Sequence, residues 1–400
     1  MDIRDRHILV LGGWGLVGTA ILHKLAERQP EKVIILSLQQ SEAEDACREM
    51  GQIYPHIQFT PEWGNIFVRD SLKDLSRGKL LEDARLRKQL LADSMEEFTD
   101  EILESSFLNQ VISRHRPHII IDSINTATAL AYQDLYSEYY HLKPLLGREA
   151  NRQQLSAEVE KMLTNMYIPQ IIRHIQILHA SMVKNETRVY LKIGTTGTGG
   201  MGLNIPYTHS EERPSRVLLS KSSLAGAHTL LLFLMGRTPG GPICKEIKPA
   251  AAIAWKGIQY GEIRKKGKPI PLIDCDPEAA VELGEKFDFT YRGSWQDLNQ
   301  NLKSVYIDTG ENGIFSLGEF ETITTAGQME FVTPEEIAEN VILEIIGDST
   351  GYDIINALDN SIMGPTYRAG YIRHQALQEM QRLEAKHHTS SVAFEILGPP

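Results

Sequence analysis

The sequence is poor in cysteine and lacks the short motifs that identify metal sites or hydrolases. Its three cysteines, Cys47, Cys244 and Cys275, are scattered and odd in number. This pattern argues against a disulfide framework and indicates a reducing compartment. The histidines show no ligand spacing such as His-Glu-x-x-His, so no metal site is predicted. No Gly-x-Ser-x-Gly segment indicates a hydrolase.

The chain also lacks an excess of positive charge and any long apolar run. Its 41 Lys and Arg residues against 52 Asp and Glu residues give a net charge of −11. Nucleic acid and anionic membranes attract basic surfaces, so neither is an expected partner. The apolar run at 230–235 is far shorter than the ~18 residues that cross a bilayer. No signal peptide is expected, because a strand pattern begins almost at once. These features predict a cytoplasmic protein whose partner is a small molecule.

The sequence does contain apolar strands that alternate with helical segments. Hydrophobic residues make up 42% of the chain and charged residues 23%, which suits a globular protein with a sizeable core. A continuous apolar run is typical of a strand buried on both faces of a parallel sheet. Five such strands are predicted, at 7–13, 32–38, 57–67, 117–129 and 188–200. With helical segments between them, the strands predict a Rossmann-type α/β fold, a doubly wound parallel sheet.

Two stretches between these strands are longer than simple crossovers need. Residues 68–116 and 131–164 are charged and mostly helical in composition. We predict helical insertions there, on the rim of the sheet. They would serve either as solvated decoration or as a substrate lid.

After about residue 240 the pattern of alternating strands and helices gives way to predicted hairpins. Hairpins are predicted over 251–274 and 305–323, because strand-like runs flank turn residues in both. A helix is predicted over 332–346, with Thr333 and Glu336 forming a capping box at its start. These elements predict a smaller C-terminal part of α+β type.

A glycine motif lies between the first predicted strand and a helix predicted over 15–28. The segment "GGWGLVG" places glycines at positions 12, 15 and 18. The first permits a tight turn, the second lets backbone amides approach a pyrophosphate, and the third lets the helix pack closely. A purely structural turn is the alternative, but a strand–motif–helix order at the start of a βαβ unit favours dinucleotide binding. The predicted cofactor contacts here are Gly12, Trp14, Gly15, Leu16, Val17 and Gly18.

The end of the second strand bears on the choice between NAD and NADP. An acidic residue there would bind the ribose 2′-hydroxyl of NAD and repel a 2′-phosphate. That position falls to Ser37, followed by Leu38 and Gln39. Nothing in this segment repels NADP, although no adjacent arginine would bind its phosphate. The prediction is an NAD(P) site that favours NADP.

These features divide the chain into two predicted domains. Residues 1–240 would form the NAD(P)-binding Rossmann domain, and residues 241–400 would form the substrate-binding part. Ligands of doubly wound folds bind outside the carboxyl ends of the strands. We therefore expect substrate between that edge of the sheet and residues 241–400.

The spacing of the glycines resembles that of the extended short-chain dehydrogenase/reductase superfamily, which includes nucleotide-sugar epimerases and dehydratases. In "WGNIF", Asn65 and Ile66 stand where the superfamily has an aspartate and an apolar residue beside the adenine. The segment "IIIDSIN" is similar to the fourth strand that lines the cofactor, at Ser123 and Ile124. The resemblance implies that these four residues contact the dinucleotide.

Two further segments resemble the catalytic positions of that superfamily. In "MLTNMYIPQII", Asn165 stands where a helix asparagine supports the active site. In "KIGTTGTGG", Thr196 stands where a serine or threonine hydrogen-bonds the reacting oxygen. The likeness covers residues 1–235, and covers 236–400 only in outline.

The chain departs from the superfamily at its catalytic tyrosine. A tyrosine and a lysine four residues apart lie on one face of a helix there. The lysine binds the nicotinamide ribose and lowers the pKa of the tyrosine, which exchanges the proton. Lys221 stands at the lysine position, but Val217 stands at the tyrosine position and carries no exchangeable proton.

Three explanations of Val217 remain open. Another group, either Tyr207 or the neighbouring His209, supplies the proton from the preceding loop. The chemistry tolerates the loss, as in superfamily dehydratases with methionine at this position. The protein binds a dinucleotide without turning it over and acts as a regulator through a partner.

The resemblance implies an NAD(P)-dependent oxidoreductase, or an internal-redox epimerase or dehydratase, acting on a polar carbonyl or hydroxyl compound. The candidate catalytic residues are Thr196, Lys221, Asn165 and Tyr207. A non-catalytic dinucleotide-binding regulatory protein is the alternative. The apolar segment around Lys221 also resembles the helix through which superfamily members pair, so a homodimer or higher homo-oligomer is expected.

Overall fold

The structure is a computed structural model. It describes residues 1–131, 135–146, 151–194, 216–249, 252–265, 268–275, 295–309, 313–325, 332–348, 350, 353–354, 359–363 and 366–392. The chain forms two compact units. The first comprises Met1–Ile253 and Met329–Ala369, and the second comprises Ala254–Gln328 and Gly370–Pro400.

Fifteen strands lie within the described residues. They are β1 His7–Leu11, β2 Lys32–Ser37, β3 Gln58–Trp63, β4 Ile119–Asp122, β5 Val189–Ile193, β6 Ile243–Pro249, β7 Gly257–Glu262, β8 Arg264–Lys265, β9 Lys268–Pro269, β10 Pro271–Cys275, β11 Trp295–Asn301, β12 Lys303–Asp308, β13 Ile314–Phe315, β14 Asp353–Ile354 and β15 Asp359–Met363.

Fourteen α-helices and two 3₁₀ turns, Asp70–Leu72 and Lys143–Leu145, also lie there. The helices are α1 Leu16–Ala26, α2 Gln40–Ile53, α3 Arg77–Glu82, α4 Ala84–Met95, α5 Asp100–Ser105, α6 Phe107–His115, α7 Thr126–Ala131, α8 Leu135–Leu142, α9 Arg152–Thr164, α10 Tyr167–Lys184, α11 Arg216–Arg237, α12 Leu317–Ile323, α13 Pro334–Ile346 and α14 Tyr367–His387. Each helix in the described part of the chain is too short or too polar to traverse a lipid bilayer.

The first unit is built on one eight-stranded sheet in the order β14-β15-β6-β5-β4-β1-β2-β3. All neighbouring pairs are parallel except β14 with β15. The order 3-2-1-4-5-6 is that of the doubly wound Rossmann fold, and it reverses direction between β1 and β4. The predicted fold class is therefore confirmed.

Helices cover both faces of this sheet, as the apolar character of its strands requires. On one face of the sheet, α1, α2 and α13 pack on strand side chains such as Val10 and Ile35. On the opposite face α6, α10 and α11 pack on Leu11, Leu36 and Tyr190. Successive side chains of a strand point to opposite faces of the sheet. Neighbouring residues of one strand therefore pack on different sets of helices.

The long connections contain helices beyond the crossovers. Between β3 and β4 the chain forms α3, α4 and α5 before α6, and between β4 and β5 it forms α7, α8 and α9 before α10. Largely buried ion pairs hold several of these helices in place. Arg87 of α4 binds Glu160 of α9 at 3.0 Å, and Arg69 binds Asp93 of α4 at 2.7 Å.

The second unit is of α+β type, as predicted for the C-terminal part. Strands β13, β12 and β7 form an antiparallel sheet, and β10 pairs with β11. Strands β6, β14 and β15 and helix α13, which follow residue 240, belong to the sheet layer of the first unit. The assignment of residues 241–400 to substrate binding stays a prediction.

The predicted hairpin over 305–323 is wrong in its second arm. Only Ile314 and Phe315 pair with β12, and the chain then enters helix α12. Ser316 and Glu319 form a capping box at the start of this helix, a signal that the sequence contains in "SLGE". The strand predicted over 117–129 is also too long, because α7 begins at Thr126.

The predicted hairpin over 251–274 is likewise reduced to the short pair β8–β9. Strand β7 instead pairs with β12, which lies about 40 residues later in the chain. The hairpin was predicted from local turn residues. In the structure, the pairing of β7 with a strand distant in sequence determines the sheet instead. By contrast, α13 begins as predicted, with Thr333 and Glu336 closing its capping box.

Candidate active site

The glycine turn lies at the point where the strand order reverses. Gly12 follows β1 with φ of +76°, in the left-handed region that glycine adopts readily. A Cβ atom on Gly12 would lie 3.0 Å from Ser123 Oγ and 3.2 Å from Ile124 Cγ1. The turn after β1 therefore packs directly on the loop after β4.

Gly18 lets helix α1 approach the turn closely. A Cβ atom there would lie 2.2 Å from the Gly12 carbonyl oxygen and 2.8 Å from the Gly13 carbonyl carbon. Gly15 is the N-cap of α1, and no side chain caps this helix end. The first N–H groups of a helix have no partner within it, so they suit an anion such as a pyrophosphate.

The residues after β2 carry no acidic group that would exclude a 2′-phosphate. Ser37 ends β2 and is buried, whereas Leu38 is 62% exposed. The Ser37 carbonyl accepts a hydrogen bond from the Gly64 N–H at 3.0 Å. This contact ties the end of β2 to the segment after β3.

The segments after β3 and β4 continue the same edge of the sheet. Asn65 is half-buried and its Oδ1 accepts the Phe67 N–H at 3.0 Å, while Ile66 is buried in the α6 face. Ser123 donates its hydroxyl to the carbonyl oxygens of Leu11 and Gly12, at 2.8 and 3.1 Å. Ser37 thus ends β2, while Asn65 and Ser123 follow β3 and β4 at the same edge of the sheet. Their predicted contacts with a dinucleotide stay predictions.

Helix α11 contains both Val217 and Lys221, at the spacing that puts two residues on one helix face. Lys221 is buried, with 8% of its surface exposed. A lysine is rarely buried without a polar partner or a role. Lys221 is therefore not a surface lysine, and its predicted contact with the nicotinamide ribose stays a prediction.

Asn165 is buried at the end of α9 and is bound by an arginine that the sequence analysis missed. Its Oδ1 accepts a hydrogen bond from Arg77 Nη2 at 2.8 Å, and the same nitrogen donates to the Thr164 carbonyl at 2.7 Å. Burial lowers the pKa of Arg77 to about 10, so the guanidinium is still charged near neutral pH. Arg77 therefore fixes the orientation of the Asn165 amide.

Three candidates for the reacting centre fall on segments that the structure does not describe. Thr196, Tyr207 and His209 all lie in the stretch between Gly194 and Arg216. Their roles stay predictions.

A row of buried charges crosses the sheet at this edge and was not predicted. Asp122 of β4, Lys192 of β5 and Glu246 of β6 are direct neighbours in the strand register. All three are at most 3% exposed. They share the face of Leu11 and Tyr190, on which α10 and α11 pack.

Asp122 lies at one end of this row, beside Lys192. Lys192 Nζ lies 2.9 Å from Asp122 Oδ1, and the Tyr190 hydroxyl donates to Asp122 Oδ2 at 2.8 Å. Burial alone would raise the pKa of Asp122, but the Lys192 charge and its hydrogen bond bring it below the ordinary value. Burial and the nearby Asp122 charge raise the pKa of Tyr190. Asp122 is therefore ionised and Tyr190 is neutral at pH 7.

Two buried histidines adjoin the row from the helices above it. Burial lowers the pKa of His174 on α10 to about 4 and that of His228 on α11 to about 3. The Lys192 charge acts in the same direction in both, and Asp122 opposes it. Both imidazoles are neutral at pH 7.

Glu246 lies directly beneath the end of β5. A Cβ atom on Gly194 would be 2.2 Å from Glu246 Oε1, and Thr229 of α11 donates its hydroxyl to the same oxygen at 3.2 Å. Burial raises the pKa of Glu246, against the effect of Lys248. This carboxyl group therefore lies against Gly194, at the end of β5.

The sequence held a signal for this row. Asp122 and Lys192 each stand in an otherwise apolar strand, in "IIID" and "VYLKI", and Glu246 stands between apolar residues and lysines in "ICKEIKP". A charge in a strand buried on both faces needs a partner. The carboxyl ends of parallel strands lie at the same edge of a sheet. The sequence therefore indicated that these charged side chains could pair with one another.

One group of metal-ligand atoms occurs in the described part of the chain. Ligand atoms of Glu138, His141 and Glu158 lie within 4.8 Å of one another. Lys161 already binds the Glu158 carboxylate at 2.8 Å, and His141 is exposed. The group gives no independent sign of a bound ion.

A family profile described as the beta-methylindole-3-pyruvate reductase C-terminal domain matches residues 272–400. No curated protein matches the chain with significance.

Several solved structures are similar to this chain. A 3-oxoacyl-[acyl-carrier protein] reductase with bound NAD from Brucella melitensis is 11% identical, over 91% of this chain and 92% of that one, with a TM-score of 0.40. A short-chain dehydrogenase from Sphingobium yanoikuyae in complex with NADPH is 8% identical, over 94% and 95%, with a TM-score of 0.38. For Pen from Bacillus thuringiensis, at 10% identity and a TM-score of 0.30, the match covers 62% of this chain but only half of that protein. Because these scores are low, the fold assignment rests on the strand order.

Proposed function

We propose that this protein is an NAD(P)-dependent oxidoreductase of the short-chain dehydrogenase/reductase type, with a preference for NADP. The observation that carries the proposal is the glycine turn at the switch point between β1 and β4. Ligands of doubly wound folds bind at that point. The turn combines a left-handed Gly12 with a helix that Gly18 brings close.

The residues at this edge fit a dinucleotide. The uncapped N-terminus of α1, at Gly15, Leu16 and Val17, would hold the pyrophosphate. Asn65 and Ile66 would line the adenine side, and Ser123 and Ile124 the nicotinamide side. Ser37 leaves room for a 2′-phosphate without repelling it.

Lys221 would hold the nicotinamide ribose and supply positive charge beside the reacting oxygen. A bound NADPH supplies a hydride to the carbonyl carbon, and a proton from the protein or from water completes the alcohol. Thr196 would orient the oxygen, and Asn165, held by Arg77, would support the site. Val217 has no proton to give, so Tyr207 or another group supplies it.

The substrate we propose is a 2-oxo acid with an aromatic side chain. The matching family is named for beta-methylindole-3-pyruvate, whose ketone is a polar carbonyl of the expected kind. Val217 favours one second candidate, an internal-redox epimerase or dehydratase, because such chemistry tolerates loss of the tyrosine. No observation favours a protein that binds a dinucleotide without turnover.

The test is to follow NADPH absorbance with a panel of indole-3-pyruvate, phenylpyruvate, pyruvate and a nucleotide sugar. We expect oxidation of one NADPH per hydroxy acid formed with the aromatic 2-oxo acids, and a large loss of rate in Lys221→Met. Conversion of the nucleotide sugar with no net change in NADPH would support the internal-redox candidate. Binding of NADPH with no turnover of any compound would contradict the proposal.

A further inference from the structure

Lys192 and Asp122 form an ion pair that is almost completely removed from solvent. Their side chains are 2% and 0% exposed, and their charged atoms lie 2.9 Å apart. Replacing such a pair by apolar residues is often neutral or stabilising, so burial of a pair is weak evidence for a role in stability. The other partners of these two side chains indicate what the pair does.

Apart from the Tyr190 hydroxyl, those partners lie in the loop Ser123–Thr126, which runs from the end of β4 to the first residue of α7. Lys192 Nζ donates to the Ile124 carbonyl at 2.6 Å and to Thr126 Oγ1 at 3.2 Å. Asp122 Oδ1 accepts the Ile124 N–H at 3.0 Å. The ion pair therefore holds both the donor and the acceptor of the same peptide residue, which fixes where Ile124 lies.

The loop in turn contacts the glycine turn. Ser123 donates to the carbonyl oxygens of Leu11 and Gly12, and Ser123 and Ile124 pack where a Gly12 side chain would be. An unbroken series of contacts thus runs from Lys192 through the loop to Gly12. Hydrogen bonds to charged groups hold geometry more strongly than neutral ones.

We propose that Lys192 is a positioning residue that, with Asp122, holds the loop Ser123–Thr126 against the glycine turn in the shape that receives the nicotinamide side of the dinucleotide. This inference rests on the proposed function, because it concerns the same cofactor site. Lys192 itself touches no cofactor in this account. It acts through the Ile124 peptide and the Thr126 hydroxyl.

The test uses the full chain and the double variant Lys192→Met/Asp122→Asn, which removes both charges and leaves neither unpaired. We expect the Kd for NADPH to rise about tenfold, the effect of losing hydrogen bonds to a charged group. We also expect faster amide hydrogen exchange at Ile124 and Thr126. Thr126→Val removes one of the hydrogen bonds and should raise the Kd roughly threefold.

The matched control is a second, largely buried lysine–carboxylate pair on the other face of the same sheet. Lys245 of β6 binds Glu344 of α13 at 2.8 Å, with 13% and 3% of the side chains exposed. Lys245→Met/Glu344→Gln should change thermal stability without changing the Kd for NADPH or exchange at Ile124. A general loss of stability would move both double variants alike, whereas the positioning role moves only the first.

Two results would overturn the inference. One is a folded Lys192→Met/Asp122→Asn protein that binds NADPH as tightly as the natural chain does. The other, which also decides the matter if that variant does not fold, is unchanged NADPH affinity and exchange at Ile124 in Thr126→Val. If the natural chain binds no NADPH at all, the proposed function fails, and the exchange measurement still tests whether Lys192 holds the loop.

Discussion

At the scale of single residues, close contacts distinguish Gly18 from another helical glycine, Gly51. Gly18 and Gly51 both lie in helices, but only Gly18 faces a backbone oxygen at 2.2 Å from where its Cβ would be. Gly18→Ala must move the turn, so we expect a loss of about 1–3 kcal/mol in the free energy of unfolding. NADPH binding should weaken more than tenfold, as measured by titration.

Gly51→Ala is the matched control, because no atom lies within 4 Å of its Cβ position. In a helix this substitution should raise the free energy of unfolding by about 0.5–1 kcal/mol and leave NADPH binding unchanged. Equal effects of the two substitutions would contradict the steric account of Gly18.

The buried histidines predict how stability depends on pH. The folded chain keeps His228 neutral because its pKa is lowered to about 3, whereas the unfolded chain takes up a proton near pH 6.5. The unfolded state therefore binds more protons below pH 6.5, and the free energy of unfolding falls as the pH falls. Urea unfolding near pH 7 and near pH 5 measures this fall.

The unfolded His228→Gln chain cannot take up a proton at position 228. Between pH 7 and pH 5 its free energy of unfolding should therefore fall by about 1–2 kcal/mol less than that of the natural chain. His174→Gln should reduce the fall in the same way, because its pKa is also lowered. His141→Gln, at an exposed site, controls for the substitution itself. A fall that is unchanged in His228→Gln and His174→Gln would show that neither imidazole is kept neutral.

At the residue scale, the sequence predicted the tight turn at Gly12 and the close packing at Gly18, because one rule of backbone geometry covers a strand–helix junction. It did not predict contacts whose partners come from distant segments. The Asp122–Lys192 pair required the register of two strands that lie about 70 residues apart. Arg77 and Asn165 likewise meet only because helices of two different insertions come together.

At the scale of elements, helix starts were more predictable than strand partners. The capping box at α13 joins residues three positions apart, so it is local. Thr333 is fully buried, its Oγ1 accepts the Glu336 N–H at 3.3 Å, and Glu336 Oε2 accepts the Thr333 N–H at 2.9 Å. Thr333→Ala should lower the free energy of unfolding by about 0.5–2 kcal/mol.

Thr333→Ser keeps the hydroxyl group and is the matched control, with most of the stability retained. The measurement is denaturant unfolding followed by circular dichroism. If alanine and serine at position 333 destabilise equally, the lost methyl packing, and not the cap, accounts for the effect.

Strand pairing in the second unit shows why the rest of the elements could not be predicted. The sequence between β7 and β12 has turn residues that favour local hairpins, but β7 pairs with β12 across the intervening strands. The strands predicted for the first unit are apolar and alternate with helices. The rule that parallel strands are joined by right-handed crossovers therefore predicts a doubly wound parallel sheet. No comparable rule predicts that β10 pairs with β11.

At the scale of the whole molecule, the sequence predicts a homo-oligomer. Helices α10 and α11 pack side by side in the first unit and expose apolar side chains one turn apart: Ile168 and Ile172 at 40% each, and Leu230 and Leu234 at 58% and 52%. Large apolar side chains on the surface are a feature of interaction surfaces. We expect a dimer through this face in sedimentation velocity.

Leu230→Glu/Leu234→Glu should shift the protein to monomer, because two charges would have to be buried in the interface. Leu298→Glu, at an exposed site in the second unit, should leave the dimer intact. A natural chain that sediments as a monomer would rule out this face as a stable interface.

The central claim is that the switch point between β1 and β4 binds NADP(H). Calorimetric titration of the full chain with NADPH and with NADH tests it most directly, together with Ser37→Asp and the uncharged control Ser37→Asn. We expect one site per chain, with NADPH bound more tightly than NADH. In Ser37→Asp, but not in Ser37→Asn, we expect the affinity for NADPH to fall about tenfold or more relative to that for NADH, because a carboxylate repels the 2′-phosphate. Absence of binding by either nucleotide, or unchanged NADPH affinity in Gly18→Ala, would contradict it.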